Sequence, residues 1–322
     1  AVTDKNIPLI TPVTEKITAV RHSNYSHIWV LTHEWNSNSF YAYLVTNTGL
    51  NLTPVISQVG SNHTGVAGNS VGQLKFSPRG NRLAIINRNI NSVELFNFNN
   101  QTGEITFVGA LGPLPINIYG LEFDPKGSRL YVTQYAGTAS NSNIYQYNLD
   151  AGSINDINNS KTVVATTTDY HIGSLQLAPD GKIYLARRES NYLGVINNPS
   201  NLGTSCNYVN NGFYLNGKKS MFGLPSFIQS TFDILDIDDV RVDNQDGYSI
   251  YPSPNNGFFQ IIGTDSENCL YKIQIFSING VLLSEKDIEK GEYADFTYLS
   301  KGTYIARIWN NNKFVNKKLL II

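Results

Sequence analysis

The sequence predicts an all-β protein in which a repeated strand unit is followed by a small antiparallel β-sandwich. Apolar and polar residues alternate in short runs, and no segment spaces its apolar residues as three turns of an amphipathic helix would. A Pro-x-Gly pattern recurs along the first two thirds of the chain, and closely spaced strand and turn patterns fill the last quarter. The length of 322 residues suits two or three domains.

The recurring pattern predicts β-hairpins. An alternating apolar run leads into Pro-x-Gly and a second run leads out, in copies that begin at Leu74, Leu121 and Leu175, with a degenerate copy at Ala19. Proline presets φ for a turn, and glycine takes a position that needs a positive φ. The predicted turn residues are Pro78, Gly80, Pro125, Gly127, Pro179 and Gly181.

Each copy is followed by a third strand pattern and a weaker fourth, so four strands recur about every 50 residues. This recurrence is typical of the blades of a β-propeller, which bury their faces only by stacking on their neighbours. Residues 1–232 are therefore predicted to form a partial β-propeller with about four visible blades. Because rings of six to eight blades are commoner, we expect an N-terminally truncated ring, with a closed ring of four as the alternative.

This part of the chain resembles a family of secreted Bacteroidetes proteins with WD40-like or YVTN-like propellers. Residues 10–22, the three Pro-x-Gly hairpins and residues 194–229 carry the resemblance. The resemblance implies further blades before residue 1, and it implies no enzyme activity that can be assigned to this chain.

Residues 233–246 are predicted to be an acidic linker that begins with Asp233-Ile-Leu-Asp-Ile-Asp-Asp239. Clustered aspartates could bind Ca²⁺, which takes several oxygen ligands. The spacing of an EF-hand loop is absent, however, so a solvated linker is favoured.

Residues 247–322 are predicted to form a small Ig-like β-sandwich. Six or seven short strand patterns follow one another in about 75 residues, as in an antiparallel sandwich. Asn279-Gly280 suits the type I′ turn of a tight hairpin, and Gly302 stands directly before the strand pattern 303–308.

The same segment resembles the C-terminal sorting domain of type IX (Por) secretion substrates, type A. The residues that carry the resemblance are Tyr251, Pro252, Pro254, Gly257, Asn279, Gly280, Gly302, Tyr304, Lys317 and Lys318. Ser253 departs from the usual asparagine, and a plain Ig-like accessory module is the alternative. The resemblance implies the type IX machinery as a partner, passage through the periplasm, removal of this domain, and a final location on the outer-membrane surface or outside the cell.

Composition excludes some classes of partner. A formal net charge of −1 with 15% charged residues argues against a nucleic-acid binder, which needs a basic face, and against a polybasic membrane-surface protein. No apolar run approaches the ~18 residues of a membrane helix, so no transmembrane segment is predicted. No export signal is visible at the N-terminus. If the protein is exported, we expect this sequence to be its mature form or a fragment.

Two motifs that suggest a nucleophile have a simpler interpretation. Gly68-Asn-Ser-Val-Gly72 matches Gly-x-Ser-x-Gly, but a nucleophile elbow needs a helix after the serine, and a strand pattern follows here. Cys206 lies in a loop pattern and is expected to be a small half-buried residue. Cys206 and Cys269 fall in different predicted domains, so no disulfide bond is expected.

Histidines and carboxylates suggest no metal site. His27 and His33 are predicted on one face of one strand, ~20 Å apart, too far to share a metal ion. His33-Glu34 lacks the second histidine of a zincin motif. Five other residues could meet near the axis of a propeller, although their spacing in the sequence does not require this. They are Glu15, His22, His63, Asp169 and His171.

Aromatic residues alternate along several strand patterns. They could form a platform for sugars, but core and cross-strand packing is favoured. They are Trp29, Trp35, Tyr41, Tyr43, Tyr131 and Tyr135.

The sequence therefore predicts a secreted or cell-surface, non-enzymatic protein of the binding or adhesion type, without a cofactor or metal ion. Its ligand would be an extracellular glycan, polymer or protein. The first alternative is a propeller enzyme, lactonase-like or polysaccharide-active, built around the central channel. The second is a propeller that acts only as a spacer. Three or more carboxylate or histidine side chains around a metal ion in the channel would favour the enzyme.

Overall fold

The structure, a computed structural model, describes residues 6–24, 26–137, 141–232, 248–263, 269–278, 280–310 and 313–322. The chain divides into two compact units, Ala1–Ile234 and Leu235–Ile322. The predicted acidic linker, residues 233–246, lies outside the described residues. The prediction of an all-β propeller followed by a small sandwich is confirmed.

Four antiparallel sheets, here called blades 1 to 4, build the first unit. Blade 1 contains β1 (Val13–Arg21), β2 (Ile28–Glu34), β3 (Ser37–Thr46), β4 (Gly49–Leu50) and β5 (Val55–His63), and both β4 and β5 pair with β3. Blade 2 contains β6 (Leu74–Phe76), β7 (Arg82–Asn87), β8 (Ser92–Phe98) and β9 (Ile105–Leu111). Blade 3 contains β10 (Ile118–Phe123), β11 (Arg129–Gln134), β12 (Ser142–Asn148) and β13 (Thr162–Thr167). Blade 4 contains β14 (Ile172–Leu177), β15 (Ile183–Arg187), β16 (Tyr192–Ile196) and β17 (Tyr208–Tyr214).

Successive blades stack face to face. Their first strands are neighbours, since β1 contacts β6, β6 contacts β10, and β10 contacts β14. Each interface buries its own apolar cluster, represented by Phe40 against Phe96, by Leu95 with Tyr145, and by Tyr131 with Leu185. Burial of these faces between neighbours is what a propeller blade requires to be stable.

The Pro-x-Gly hairpins follow the first strand of blades 2 to 4. Gly80, Gly127 and Gly181 have φ values of +68°, +68° and +75°. The N–H of Gly80 donates to the carbonyl oxygen of Ser77 at 2.8 Å, and the other two copies make the same turn bond. Glycine is needed here because the left-handed conformation costs it no steric strain. Pro78, Pro125 and Pro179 occupy the second position of these turns, where a fixed φ is favourable.

Short helices connect some of the strands. They are α1 (Ile154–Asn159) and the 3₁₀ turns Ala67–Asn69, Gly203–Cys206 and Gln229–Phe232. The sequence pattern did not predict α1, although a signal for it exists. Ser153 accepts a hydrogen bond from the Asp156 backbone N–H while the Asp156 carboxylate accepts one from Ser153 N, which is a capping box.

Residues 220–232, here called the strap, run from blade 4 to blade 1. The carbonyl oxygen of Phe222 accepts a hydrogen bond from Ser174 N of β14 at 2.9 Å. Ile228 forms a parallel bridge with Ala19 of β1. Backbone pairing through the strap therefore ties the last blade to the first.

Gly173 allows the strap to approach β14. A Cβ atom at this position would lie 2.0 Å from the Phe222 carbonyl oxygen. We expect Gly173→Ala to displace the strap and to destabilise the first unit by about 1–3 kcal/mol. Gly223→Ala is the matched control, because a Cβ there meets nothing within 4 Å, and its effect should stay within about 0.5 kcal/mol. Urea unfolding followed by circular dichroism measures both, and equal effects would contradict the packing argument.

The second unit consists of two sheets. One has the order β18 (Tyr248–Tyr251), β19 (Phe258–Gly263), β22 (Tyr293–Asp295), and the other has the order β21 (Leu282–Glu289), β20 (Leu270–Ser277), β23 (Gly302–Asn310), β24 (Lys313–Ile321). Their facing residues form one core that includes Phe259, Tyr271, Ile273, Phe296 and Ile308. The alternation of buried and exposed residues along β19 and β20 is that of a sandwich with one face in water.

Candidate functional site

A charged pair lies buried at the centre of the first unit. Glu122 on β10 is fully buried, and its Oε2 lies 2.9 Å from Nζ of Lys75 on β6, which is also buried. Lys75 Nζ donates a second hydrogen bond to Gln176 Oε1 on β14 at 2.6 Å. Nε2 of Gln229 in the strap lies 3.3 Å from each oxygen of the Glu122 carboxylate. This central network joins three blades and the strap.

The repeat register contains a signal for this network that the sequence prediction did not use. Lys75, Glu122 and Gln176 each follow the leucine with which a repeat copy begins. Stacked blades bring equivalent repeat positions together around a common axis. A lysine, a glutamate and a glutamine at one repeat position are therefore candidates for mutual contact.

A cavity of about 200 Å³ lies beside the central network. Its wall includes Glu15 and Lys16 of β1, Tyr119 of β10, Ser174 of β14 and Gln229 of the strap. Pockets for drug-sized ligands measure roughly 300–1,000 Å³, so this cavity suits a smaller molecule. Each of these side chains belongs to the first strand of a blade or to the strap.

Lys16 is a buried lysine in the cavity wall. Its Nζ donates a hydrogen bond to the carbonyl oxygen of Ser70 at 2.8 Å. Burial lowers the pKa of Lys16 to about 7, an effect that the Glu15 carboxylate opposes and Arg88 reinforces. The amine and ammonium forms of Lys16 therefore coexist near neutral pH.

Tyr119 connects the cavity to a cluster of aromatic rings. Burial, with the nearby Glu15 carboxylate, raises the pKa of Tyr119 to about 12, so its hydroxyl stays protonated at neutral pH. The Tyr119 ring lies 4.3 Å from that of Phe222, which lies 5.5 Å from the ring of Tyr135. Arg88 donates to the Tyr135 hydroxyl at 3.2 Å. This cluster reaches the cavity wall through Tyr119, and Phe227 also lines that wall.

The prediction that His27 and His33 share a strand is wrong, because β2 begins at Ile28 and His27 precedes it. His33 instead packs against His63 of β5, with ring centroids 4.2 Å apart, and both are buried. His63 Nε2 lies 3.6 Å from Oε2 of the buried Glu94. Among the described residues, no group of three or more His, Cys, Asp or Glu side chains could hold a metal ion.

The structure does not bring together the five residues suggested for the axis. His22 packs against Trp29, Asp169 pairs with Arg187 at 2.8 Å, and His171 lies against Tyr170. Glu15, whose Oε1 accepts from Gly72 N, lines the cavity, while His63 belongs to the cluster with His33.

The serine and cysteine candidates lie at short turns. Ser70 follows a 3₁₀ turn, its Oγ donates to Ala67 O at 2.7 Å, and β6 comes next rather than a helix. Cys206 ends a 3₁₀ turn and is fully buried, not half-buried as expected, and burial raises the pKa of its thiol. Cys206 and Cys269 are both free cysteines.

The alternating aromatic residues do not form one surface for sugars, and packing, the favoured role, accounts for most of them. Trp29, Tyr43 and Tyr131 are buried, and Trp29 packs edge-on against Phe98. Trp35 and Tyr41 are half-buried in blade 1, and only Tyr135 of this group lies in the aromatic cluster described above.

In the second unit, the first sequence motif is tied to the last strand. Asn255 is buried, its N–H donates to Leu320 O at 3.1 Å, and its carbonyl oxygen accepts from Ile322 N at 2.9 Å. Its side chain closes the turn by donating to Pro252 O and accepting from Gly257 N. The sequence motif had not singled out Asn255, although asparagine is a typical turn residue.

The other motif residues occupy turns and the final hairpin. Gly257 has a φ of +91°, and a Cβ there would lie 2.6 Å from Phe296 O. Gly280 closes a turn onto Ser277 O at 2.9 Å, and the Tyr304 hydroxyl donates to Ser300 O at 2.6 Å. The remaining residues lie as follows: Tyr251 ends β18, Pro252 and Pro254 follow it, Gly302 begins β23, and Lys317 and Lys318 pair with β23 from β24. Asn279 lies outside the described residues.

Residues 249–322 match the family described as secretion system C-terminal sorting domain. The second unit is this sorting domain. It marks a protein that type IX secretion exports to the cell surface or the extracellular space. No described helix is both long and apolar enough to cross a membrane. The roles of the individual motif residues in sorting stay predictions. No curated protein matches the chain.

Solved structures are similar to this chain only at a low level. A candidate 6-phosphogluconolactonase from Bacteroides uniformis is 15% identical, with a TM-score of 0.40, over 62% of this chain and 56% of its own. A protein from Lactobacillus plantarum is 13% identical, with a TM-score of 0.44, over 86% and 72%. A candidate 6-phosphogluconolactonase from Bacteroides fragilis is 14% identical, with a TM-score of 0.43, over 87% and 72%. Likeness at this level assigns no activity, and the chain spans little more than half of the Bacteroides uniformis protein.

Proposed function

We propose that this chain is a non-enzymatic binding protein of the adhesion type, whose propeller carries the ligand site and whose sorting domain supplies export. Its ligand is an extracellular glycan, polymer or protein. The proposal includes a source among the Bacteroidetes and a propeller of the WD40-like or YVTN-like type. Both rest on the sequence resemblance of residues 10–22 and 194–229.

The central network is the observation that supports a binding function most. Catalysis by Glu122 would need this carboxylate to be free to exchange protons or to hold a metal ion. Glu122 accepts hydrogen bonds from Lys75, Gln229 and the backbone N–H groups of Phe123 and Leu177. This carboxylate therefore holds the blades together, and the groups left in the cavity wall suit hydrogen bonding to a ligand.

An enzyme is the second candidate, and Lys16 is the observation that favours it. A lysine with a pKa of about 7 has a suitable proton affinity for a general base at neutral pH. It lies in a cavity with a carboxylate and a tyrosine hydroxyl. The competing role is structural, because Lys16 Nζ already donates to Ser70 O.

Turnover assays on the purified full chain distinguish the two candidates. We expect no hydrolysis of lactones or glycosides. Hydrolysis that disappears in Lys16→Met, while Lys182→Met at a half-buried position in the hairpin of blade 4 retains it, would overturn the proposal and establish the enzyme.

Export is tested by removing the sorting domain. A chain that lacks residues 248–322 should accumulate in the periplasm, and the surface and medium fractions should lose nearly all of it. Immunoblots of the separated fractions measure this distribution. Normal arrival of the shortened chain at the surface would contradict the assigned route.

A point substitution tests the fold of the sorting domain. Gly257→Ala places a Cβ against Phe296 O, whereas Gly291→Ala, at nearly the same φ of +92°, meets nothing within 4 Å. Both substitutions bear the backbone strain of about 1 kcal/mol, and only the first adds a clash. We therefore expect Gly257→Ala to reduce export strongly and Gly291→Ala to reduce it little. Equal export of the two variants would show that the packing of this turn does not matter.

A further inference from the structure

The central network places a lysine amine against a side-chain amide. Lys75 Nζ donates to Gln176 Oε1 at 2.6 Å and lies 2.9 Å from Glu122 Oε2. Because an ammonium group only donates hydrogen bonds, the oxygen of the amide must face it, and Gln176 Nε2 donates to Leu177 O at 2.9 Å. The orientation of the amide is therefore fixed. Its carbonyl carbon, Cδ, is one bond beyond the atom that Lys75 contacts.

All three side chains are withdrawn from water. Lys75, Glu122 and Gln176 are 4%, 0% and 5% exposed. They lie on the first strands of three blades, and Lys75 and Gln176 are 101 positions apart in the sequence. A fixed contact between a nucleophile and a carbonyl group replaces a rare encounter in solution, and it speeds intramolecular reactions greatly. Burial also excludes water, which would otherwise solvate the amine.

Forming an amide bond here removes the cost of a buried ion pair. Taking two charges out of water offsets much of the attraction between them, and neutral groups of similar size often stabilise a fold as well or better. After such a reaction, Lys75 Nζ is a neutral amide nitrogen. Glu122 retains a proton and donates it to Gln176 Oε1, and its Oε2 still accepts from Leu177 N, now 3.1 Å away. Neither member of the pair then keeps a charge in the core.

We propose that Lys75 and Gln176 become joined by an amide bond between Nζ and Cδ, a covalent link between blades 2 and 4, and that Glu122 transfers the protons. Glu122 takes a proton from the Lys75 ammonium, and the resulting amine attacks Cδ of Gln176. The Cδ–Nε2 bond breaks, and Nε2 leaves as ammonia with its own two hydrogens and one from Nζ. The other hydrogen that Nζ loses stays on Glu122. The reaction occurs once in each chain and needs no cofactor or oxidant.

The surroundings of the pair suit a single internal reaction. Glu122 already contacts its lysine, so it does not have to be free to meet a foreign substrate. Lys75 borders the cavity, and so do Glu15 and Ser226, which are exposed, so the ammonia has a path to the solvent. Dilution of the ammonia then prevents the reverse reaction. The link closes residues 75–176 into a loop and thereby restricts the unfolded chain.

Mass spectrometry of the purified, folded full chain tests the link. We expect the intact mass to be lower than that of the sequence by the mass of one ammonia. Trypsin should release one branched peptide in place of the two separate peptides that carry Lys75 and Gln176, and cleavage after Lys75 should be blocked. The peptide map is needed because an asparagine followed by glycine, such as Asn216 before Gly217, can also lose ammonia.

Glu122→Gln keeps both reacting groups and tests the proton transfer. We expect it to slow formation of the link by about 100-fold or more, which is what a positioned acid–base group contributes. Glu94→Gln, at another buried carboxylate of blade 2, is the matched control and should leave the rate unchanged. Lys75→Arg and Gln176→Met each remove a reacting group and should abolish the link. Should Glu122→Gln fail to fold, Glu122→Asp keeps an acid but withdraws it by one methylene, and it should also slow the reaction.

The outcomes decide the bond and the role of Glu122 separately. If the folded chain yields only separate peptides for Lys75 and Gln176, both at purification and after prolonged incubation, the link does not exist and the proposal is overturned. A link that forms at the same rate in Glu122→Gln retains the bond and overturns the proton transfer by Glu122. Neither result depends on whether the propeller binds a ligand, so the proposed function is judged by its own assays.

Discussion

Replacing Glu122 with glutamine is expected to destabilise the propeller unit by about 3–5 kcal/mol, because it leaves the buried Lys75 ammonium without its counter-charge. The substitution keeps the shape of the side chain but not its chemistry. All the contacts of the carboxylate are donors, among them Leu177 N at 3.1 Å and Gln229 Nε2. The amide of a glutamine must direct its N–H₂ group at one or more of these donors. Two donors would then face each other at a buried site.

Equilibrium unfolding in urea measures this effect, and the sorting domain serves as an internal reference because it forms its own compact unit. Asp150→Asn is the matched control within the propeller unit, since it removes the exposed partner of the Arg129–Asp150 pair and should change stability little. The double variant Lys75→Met/Glu122→Gln should lose less than the sum of the single variants, with a coupling of about 0.5–3 kcal/mol. Strict additivity would show that the two charges do not depend on each other.

The features that the sequence predicted are those decided by neighbouring residues. Pro78 and Gly80 act within four residues of each other, so the turn they form does not depend on the rest of the fold. The same holds for Gly257 and Gly280 in the sorting domain, whose positive φ values are local requirements. Alternation along a strand likewise follows from the two faces of a sheet.

The features that it missed depend on contacts between blades. Lys75 and Glu122 belong to different repeat copies, and only the stacking of blades 2 and 3 brings them within 2.9 Å. The strap could not be foreseen either, because no periodicity marks residues 220–232 as a segment that crosses from blade 4 to blade 1. Its placement follows from close backbone approach at Gly173, which the sequence shows only as an ordinary strand glycine.

The histidine cluster shows the same limit. His33 was predicted to lie on the same strand as His27, but it contacts His63 instead. The two residues are neighbours because β2 and β5 both pair with β3. Glu94 then enters from the next blade. β2 and β5 do not pair with each other, and a single sequence does not give the register between such strands. The contact between His33 and His63 could therefore not be predicted.

Stability of the propeller unit should fall as the pH is lowered from 6.5, because the buried histidines stay neutral in the folded chain. Burial lowers the pKa of His33 from 6.5 to about 2, with His63 and Lys16 acting in the same direction. Burial also lowers the pKa of His63, against the effect of Glu94. Below pH 6.5 the unfolded chain binds protons that the folded chain does not, so acid favours unfolding.

The expected slope follows from the number of protons. Between pH 6.5 and about 2, His33 stays neutral in the folded chain. This alone lowers the free energy of unfolding by about 1.4 kcal/mol for each unit by which the pH falls. Glu94 adds to the loss at lower pH. Burial would raise the pKa of Glu94, but the neighbouring His63 and hydrogen bonding to Ser61 outweigh burial and lower this pKa below 4.5. The stability from Glu94 is thus present above pH 4.5 and lost below it.

His33→Phe tests the source of this slope. The phenyl ring fits beside Phe40, whose ring lies 4.6 Å from that of His33, and it takes up no proton. Urea unfolding between pH 7 and pH 4.5 should then show a slope smaller by about 1.4 kcal/mol per pH unit, with stability at pH 7 retained. His27→Phe, at a half-exposed position, is the control and should keep the slope of the parent chain. A parent chain with pH-independent stability below 6.5, or an unchanged slope in His33→Phe, would mean that the folded structure opens to protonate this imidazole at no cost.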